Sequence, residues 1–183
     1  MPEQRLWAPW RLEYIKGPKP DECIFCAKPA EGDDAATRIA HRGERCFVML
    51  NTYPYTNGHV MVAPYRHLNS LEDLDDDEAE ELTALTRRSL TVLRGVYGPE
   101  GFNVGINEGK IAGAGVEGHV HQHVVPRWAG DTSFMPVIGD VRVLPESLDD
   151  SWRQIAEAFA PATGPTDTAS ANRAASAAGA ARP

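Results

Sequence analysis

The chain has 183 residues and contains no apolar run long enough to cross a bilayer. Its formal net charge of −8 argues against bulk nucleic acid or an anionic membrane as a partner. The three cysteines do not resemble a secreted disulfide framework and the first residues lack the layout of a signal peptide, so we expect a cytoplasmic protein.

The N-terminal part shows little periodicity. Residues 1–20 contain two tryptophans outside any regular pattern, and we expect an arm that docks on the protein's own core or on a partner subunit. Cys23 and Cys26 follow, separated by two residues, and then a loop rich in Pro, Gly and Asp over residues 29–34. Cys46 lies among apolar neighbours and is most simply a buried thiol.

The middle of the chain predicts an antiparallel sheet with one long helix packed against it, an α+β domain. An acidic run at residues 75–78 suits a helix N-terminus, and Gly98 suits its end. The residues at helical spacing on one stripe are Leu82, Leu85, Leu93 and Val96. Strands are expected over residues 37–42, 45–50, 59–64 and 102–107, and the helix over residues 75–96.

A glycine-rich loop at residues 109–118 leads directly into three histidines, His119, His121 and His123. Alternate side chains of an extended strand project to one face, so we expect the three imidazoles on one side. Further on, the sequence predicts a strand near residues 141–144 and a short helix over residues 145–159. The last segment, residues 161–183, has the composition of a disordered tail.

The spacing of Cys23 and Cys26 forms half of a tetrahedral zinc site, which needs two further ligands. His67 lies just past a predicted strand end and is a candidate third ligand. Two alternatives remain open at this point. A redox pair would open a helix in a thioredoxin-like unit, for which the sequence shows no context, and a plain pair of surface thiols is the third reading.

Glycines of the loop, among them Gly113 and Gly115, allow backbone N–H groups to approach an anion closely. Asn107, at the end of a predicted strand, can donate an amide hydrogen to a phosphate or hydroxyl oxygen. The histidines that follow fit either a shared catalytic metal or nucleophilic attack on phosphorus. No carboxylate follows His123 closely, which disfavours the metal-sharing alternative.

Residues 119–125, His-Val-His-Gln-His-Val-Val, resemble the His-φ-His-φ-His-φ-φ signature of the histidine triad (HIT) family, with Gln122 at one φ position. The resemblance covers roughly residues 20–130. Residues 6–11 and 126–131 are similar to the branch that contains bacterial diadenosine tetraphosphate phosphorylases and related hydrolases. The resemblance to the family implies a HIT-like antiparallel sheet with one long helix and one short C-terminal helix. Together with the sequence pattern, it divides the chain into four parts. These are an arm (1–20), a HIT domain (21–130), a C-terminal extension (131–160) that packs on the domain or on a partner subunit, and a tail (161–183).

The resemblance also implies roles for individual residues. His121 would be the nucleophile, and His123 would contact the phosphate and assist the leaving group. Asn51 falls where the family binds ribose, and Asn107, Gly113 and Gly115 fall where it meets the phosphates. His59 would buttress the catalytic strand. A structural zinc ion would be bound by Cys23, Cys26, His67 and His119, which supplies the two ligands missing above.

The implied function is cleavage of a dinucleoside polyphosphate or related nucleotide conjugate through a nucleotidyl-histidine intermediate, with water or phosphate as acceptor, in a homodimer. One departure concerns Ala114 and Gly115, which stand where many members have a Ser, Thr or Gln that binds phosphate oxygens. Contacts there must come from backbone N–H groups. The alternative functions are a zinc-stabilised nucleotide-binding or adaptor module with little catalysis, and a metallohydrolase.

Overall fold

The computed structural model describes residues 22–131 and 145–161. The predicted arm, the strand expected at residues 141–144 and the tail after residue 161 lie outside these ranges. The described part forms one five-stranded antiparallel sheet in the order β1-β2-β3-β5-β4. The strands are β1 (Ile39–Arg42), β2 (Cys46–Leu50), β3 (Val60–Pro64), β4 (Gly101–Ile106) and β5 (Gln122–Arg127), and the helices are α1 (Ile24–Glu31), α2 (Asp34–Thr37), α3 (Asp76–Tyr97) and α4 (Leu148–Phe159).

The long helix α3 confirms the prediction and has well-defined ends. The Asp75 side chain accepts the Glu78 N–H while the Glu78 carboxylate accepts the Asp75 N–H, a capping box that satisfies two donors of the first turn. Gly98 ends the helix in the left-handed conformation. The acidic run therefore caps the helix, as the sequence indicated.

Helices α3 and α4 cover one face of the sheet. Leu82, Leu85 and Leu93 of α3 pack with the strands, together with Ile155 and Phe159 of α4. The Trp152 indole N–H of α4 also donates to the Ile39 carbonyl at 2.9 Å. The predicted α+β class and the short C-terminal helix are confirmed.

The opposite face of the sheet is also buried, under α1. Its apolar side chains include Phe25, Phe47, Met49 and Met61. A loop was expected over residues 29–34, and that expectation is wrong for residues 29–31, which form the end of the helix Ile24–Glu31 despite Pro29. The helix begins at the cysteine pair, because the Cys23 carbonyl accepts the N–H groups of the next turn, and its burial comes from Phe25.

The sheet is anchored to α3 at the turn between β1 and β2. The Glu81 carboxylate accepts three consecutive backbone N–H groups, those of Glu44, Arg45 and Cys46, at 2.8, 2.5 and 2.7 Å. Cys46 itself is fully buried, as predicted. Among the described residues, no helix is long and apolar enough to span a membrane.

Candidate active site and metal centre

The three histidines of the segment 118–127 do not share one extended strand. β5 begins at Gln122, so His123 alone lies within it. The chain before β5 bonds instead to the segment that follows β3, where the Val120 N–H donates to the Leu68 carbonyl at 2.6 Å. The expectation of one continuous strand is corrected. His119 and His121 therefore lie before β5, on the stretch that bonds to the segment after β3, and His123 lies within β5.

The first histidine joins the cysteine pair in a four-residue cluster. The side-chain ligand atoms of Cys23, Cys26, His67 and His119 all lie within 4.8 Å of one another. Cys23 Sγ is 3.4 Å from His119 Nδ1, and Cys26 Sγ is 3.3 Å from His67 Nδ1 and 3.6 Å from His119 Nδ1. A tetrahedral ion with Zn–S and Zn–N bonds of about 2.3 and 2.05 Å separates S and N ligands by about 3.5 Å. The donor set and its spacing fit such an ion.

The orientation of His119 suits metal binding at Nδ1. Its Nε2 lies 2.9 Å from the Pro64 carbonyl oxygen. A carbonyl can only accept, so the ring proton is on Nε2 and the Nδ1 lone pair faces the two thiols. Hydrogen bonding of the other ring nitrogen to a carbonyl is the usual support of a metal-bound histidine.

His121 is held as a neutral base. Its Nδ1 lies 2.7 Å from the His119 carbonyl oxygen, so Nδ1–H donates and Nε2 carries the lone pair. The ring is 3% exposed, and this burial lowers the pKa of His121. The Phe25 ring stacks on the imidazole with centroids 4.6 Å apart. The result is an unprotonated Nε2 in a fixed direction, which is what nucleophilic attack requires.

His123 is paired with His59, and the hydrogen bonds define both tautomers. The Tyr55 N–H donates to His59 Nδ1 at 3.1 Å, so His59 carries its proton on Nε2. That nitrogen lies 2.9 Å from His123 Nδ1, which must then accept. His123 consequently has its proton on Nε2, the form that can donate to a leaving group. The ring centroids of His121 and His123 are 4.9 Å apart.

Asn51 lies beside this pair. Its Oδ1 accepts the Tyr53 N–H at 2.9 Å, and its Nδ2 is 3.5 Å from His59 Nδ1. Asn107 directly follows β4, whose last residue pairs with Gln122, the first residue of β5, so its backbone lies beside the start of β5. Gly113, with φ of 90°, and Gly115 lie in the loop that leads to His119. The nucleotide-binding roles of these residues stay predictions.

Several groups that organise the site were not singled out from the sequence. Three are backbone atoms, the Tyr55 N–H and the carbonyls of Pro64 and His119, and a backbone group leaves no trace in residue type. The fourth is Phe25, whose ring centroid lies 4.6 Å from that of His121 and 5.2 Å from that of His119. Its apolar character between two cysteines was visible, but its partner across the fold was not.

The protein-family model described as the HIT domain matches residues 34–130 of the sequence, more than half of the chain. The fold and the paired histidine groups described above agree with that match, and the chain belongs to the histidine triad family. The predicted family and its HIT-like fold are thereby confirmed.

Individual relatives make the placement more specific. The chain is 41% identical over 165 residues to the AP-4-A phosphorylase of Mycobacterium tuberculosis, covering 86% of this chain and 85% of that protein. It is 33% identical to an uncharacterised HIT-like protein of Methanocaldococcus jannaschii, over 73% of this chain and 98% of that protein. A zinc-bound histidine triad family protein of Mycobacterium smegmatis superposes with a TM-score of 0.61 at 31% identity, over 75% of this chain and 92% of that chain.

Proposed function

We propose that this protein is a nucleotidyltransferase or hydrolase that cleaves a dinucleoside polyphosphate, such as diadenosine tetraphosphate, through a nucleotidyl-histidine intermediate on His121. The carrying observation is the buried, neutral His121 with its proton fixed on Nδ1 by the His119 carbonyl. The named activity of the Mycobacterium tuberculosis relative, 41% identical over most of both chains, supports the same substrate class.

The first half-reaction follows from the two tautomers. His121 Nε2 attacks the α-phosphorus and forms a P–N bond, while the bond from that phosphorus to the bridging oxygen breaks. His123 Nε2–H donates a hydrogen bond to the departing oxygen and stabilises the negative charge that develops there, so the nucleotide leaves as an anion and His123 keeps its proton. From diadenosine tetraphosphate the products are ATP and an adenylyl group on His121.

In the second half-reaction an acceptor oxygen attacks the same phosphorus and the P–N bond breaks. Phosphate as acceptor releases ADP, and water releases AMP. The electron pair of the P–N bond returns to His121 Nε2, and the acceptor's proton is released to solvent or stays on the product phosphate, while His123 keeps its Nε2–H. We propose that Asn51 binds the ribose, and that Asn107 and the backbone of Gly113 and Gly115 bind phosphate oxygens by N–H donation.

We propose zinc as the metal of the cluster of Cys23, Cys26, His67 and His119, in a structural role. Four side-chain ligands fill a tetrahedral ion and leave no position for water or substrate. Bound there, zinc supplies a crosslink between the start of α1, the segment after β3 and the start of the triad. The zinc-bound structural relative supports this choice of metal.

We also propose a cytoplasmic homodimer. β4 is an edge strand of the described sheet, and its residue Val104 leaves 43% of its surface exposed. An edge strand with an exposed apolar side chain is a natural site for pairing with a second copy. The strand lies against β5, so pairing there would place two active sites close to the interface.

Product analysis tests the proposed activity. Diadenosine tetraphosphate is incubated with the protein, with and without inorganic phosphate, and nucleotides are separated by ion-exchange chromatography. ATP plus ADP, dependent on phosphate, identifies a phosphorylase, and ATP plus AMP identifies a hydrolase. Binding of the nucleotide without any product, and without a covalent adduct on His121 by intact mass, would identify a binding module and contradict the proposal.

A further inference from the structure

The carboxylate of Glu146, just before α4, accepts hydrogen bonds from side chains in three parts of the fold. Its Oε2 accepts from Asn57 Nδ2 at 3.1 Å, from the Tyr97 hydroxyl at 2.9 Å and from the Ser151 hydroxyl at 2.7 Å. Its Oε1 accepts from the Gln154 amide. One side chain therefore joins the turn before β3, the end of α3 and the first turns of α4.

This arrangement depends on a carboxylate. Ser151 is 2% exposed, and burial raises the pKa of Tyr97 to about 12, so both hydroxyls remain protonated donors. A carboxylate has two oxygens and about four acceptor sites, enough for all four donors. A glutamine in its place has only one acceptor oxygen. Its NH₂ group is a donor and would face the donor groups of the hydroxyls and amides, so some of these hydrogen bonds would be lost.

The turn that Glu146 holds is the one that orients His59. Asn57, bonded directly to Glu146, precedes His59 by two residues. Gly58 lies against the Tyr97 ring so closely that an added Cβ would fall 2.6 Å from a ring carbon. Glu146 thus contacts Asn57 directly, and it also binds the hydroxyl of the Tyr97 ring against which Gly58 packs. The same turn carries the Tyr55 N–H that selects the His59 tautomer.

We propose that Glu146 is a positioning residue for the reaction, which acts by holding this turn so that His59 presents Nε2–H to His123. The inference rests on the proposed role of His123 Nε2–H as hydrogen-bond donor to the leaving oxygen. The two neutral imidazole tautomers are close in free energy, so an N–H donor placed at one ring nitrogen decides which one predominates. The Tyr55 N–H, at 3.1 Å, is nearer to His59 Nδ1 than the Asn51 amide, at 3.5 Å. When the turn loosens, His59 loses the nearer donor, and His123 loses the acceptor role that keeps its own proton on Nε2.

The test reads the tautomers directly on the full-length, metal-loaded protein. Nitrogen-15 NMR of the imidazole rings distinguishes Nδ1–H from Nε2–H for His59 and His123. Glu146→Gln and Asn57→Ala each weaken the hydrogen bond between residues 57 and 146, from the acceptor and the donor respectively. One variant therefore remains informative if the other folds poorly. Asp150→Asn is the matched control, because it weakens the first turn of the same helix without touching the turn before β3.

We expect a single Nε2–H tautomer for both rings in the parent protein and in Asp150→Asn. Glu146→Gln and Asn57→Ala should show mixed tautomers and a kcat about tenfold lower, part of the 10²–10³ lost when one placed hydrogen-bond donor to a developing negative charge is removed. Unchanged tautomers in both variants would overturn the proposal. Mixed tautomers with unchanged kcat would uphold the positioning by Glu146 and instead contradict the proposed role of His123.

Discussion

Replacing Cys23 with Ser should remove zinc and lower thermal stability by a calculable amount. A metal that binds only the folded chain stabilises it by about 4 kcal/mol when free zinc exceeds Kd a thousandfold. In a chain of this size each kcal/mol shifts Tm by about 2–4 °C. The cluster joins three separate segments of the chain near the face of the sheet that Phe25 covers. Loss of one ligand should therefore remove the whole stabilisation by the metal. We therefore expect Tm to fall by about 8–16 °C.

The assay combines metal analysis with thermal unfolding followed by circular dichroism, each with and without EDTA. The parent protein should hold about one equivalent of zinc and lose stability on chelation. Cys46→Ala is the matched control: Cys46 is fully buried among the α3 contacts and outside the metal cluster. It should destabilise the core, retain zinc and keep the full response to EDTA.

Cys23→Ser should show little zinc and almost no response to EDTA. The reasoning would be refuted by a Cys23→Ser protein that still binds one equivalent of zinc, or by a parent protein whose Tm does not change when the metal is removed. Because His121 donates to the carbonyl of His119, a proposed zinc ligand, chelation should also reduce turnover before the protein unfolds.

Three further predictions follow from the geometry. His121→Asn should reduce turnover by several orders of magnitude while the circular dichroism spectrum is unchanged, and undiminished activity would exclude His121 as the nucleophile. The Arg66 guanidinium holds the pKa of the Glu78 carboxyl below its usual 4.5, so its stabilisation is present above pH 4.5 and is lost as the pH falls through the lower folded pKa. Glu78→Gln should cost about 2 kcal/mol at pH 7, and denaturant unfolding should show the difference from the parent shrinking below pH 4.5; a constant difference would contradict this. Val104→Lys should give a monomer by sedimentation, whereas Ile111→Lys, equally apolar but outside β4, should not; a Val104→Lys dimer would rule out β4 as the interface.

The elements with strong periodicity were predictable. Leu82, Leu85 and Leu93 recur at helical spacing between an acidic start and Gly98, and α3 runs from Asp76 to Tyr97. An apolar stripe at helical spacing and the residues that cap a helix are both visible in the local sequence, so the helix and its ends can be predicted from it. The buried position of Cys46 followed from its neighbours in the same way.

Helix α1 was not predictable, because its cause is remote. Ile24–Glu31 contains Pro29 and shows no apolar stripe, so its local sequence favours a loop. The helix is held by Phe25, which packs on the far side of the sheet and stacks on His121. A contact between residues almost a hundred positions apart overrides local propensity, and a single sequence does not reveal it.

The catalytic site shows the same division. The residue types and their order at positions 119, 121 and 123 indicated the chemistry, and the resemblance supplied the four candidate metal ligands that the structure brings together. What could not be predicted is which nitrogen of each ring carries the proton. That depends on the carbonyls of Pro64 and His119 and on the Tyr55 amide, whose positions are fixed only by the folded backbone.

The Tyr55 amide that donates to His59 has a consequence for the choice of acceptor. An amide N–H does not dissociate near neutral pH, so no proton enters the His59–His123 pair through that hydrogen bond. In the proposed mechanism His123 therefore keeps its Nε2–H through both half-reactions and cannot take a proton from the acceptor. Water and hydrogen phosphate meet the same hydrogen-bond donor. Selection between hydrolysis and phosphorolysis therefore depends on the groups that hold the acceptor in place.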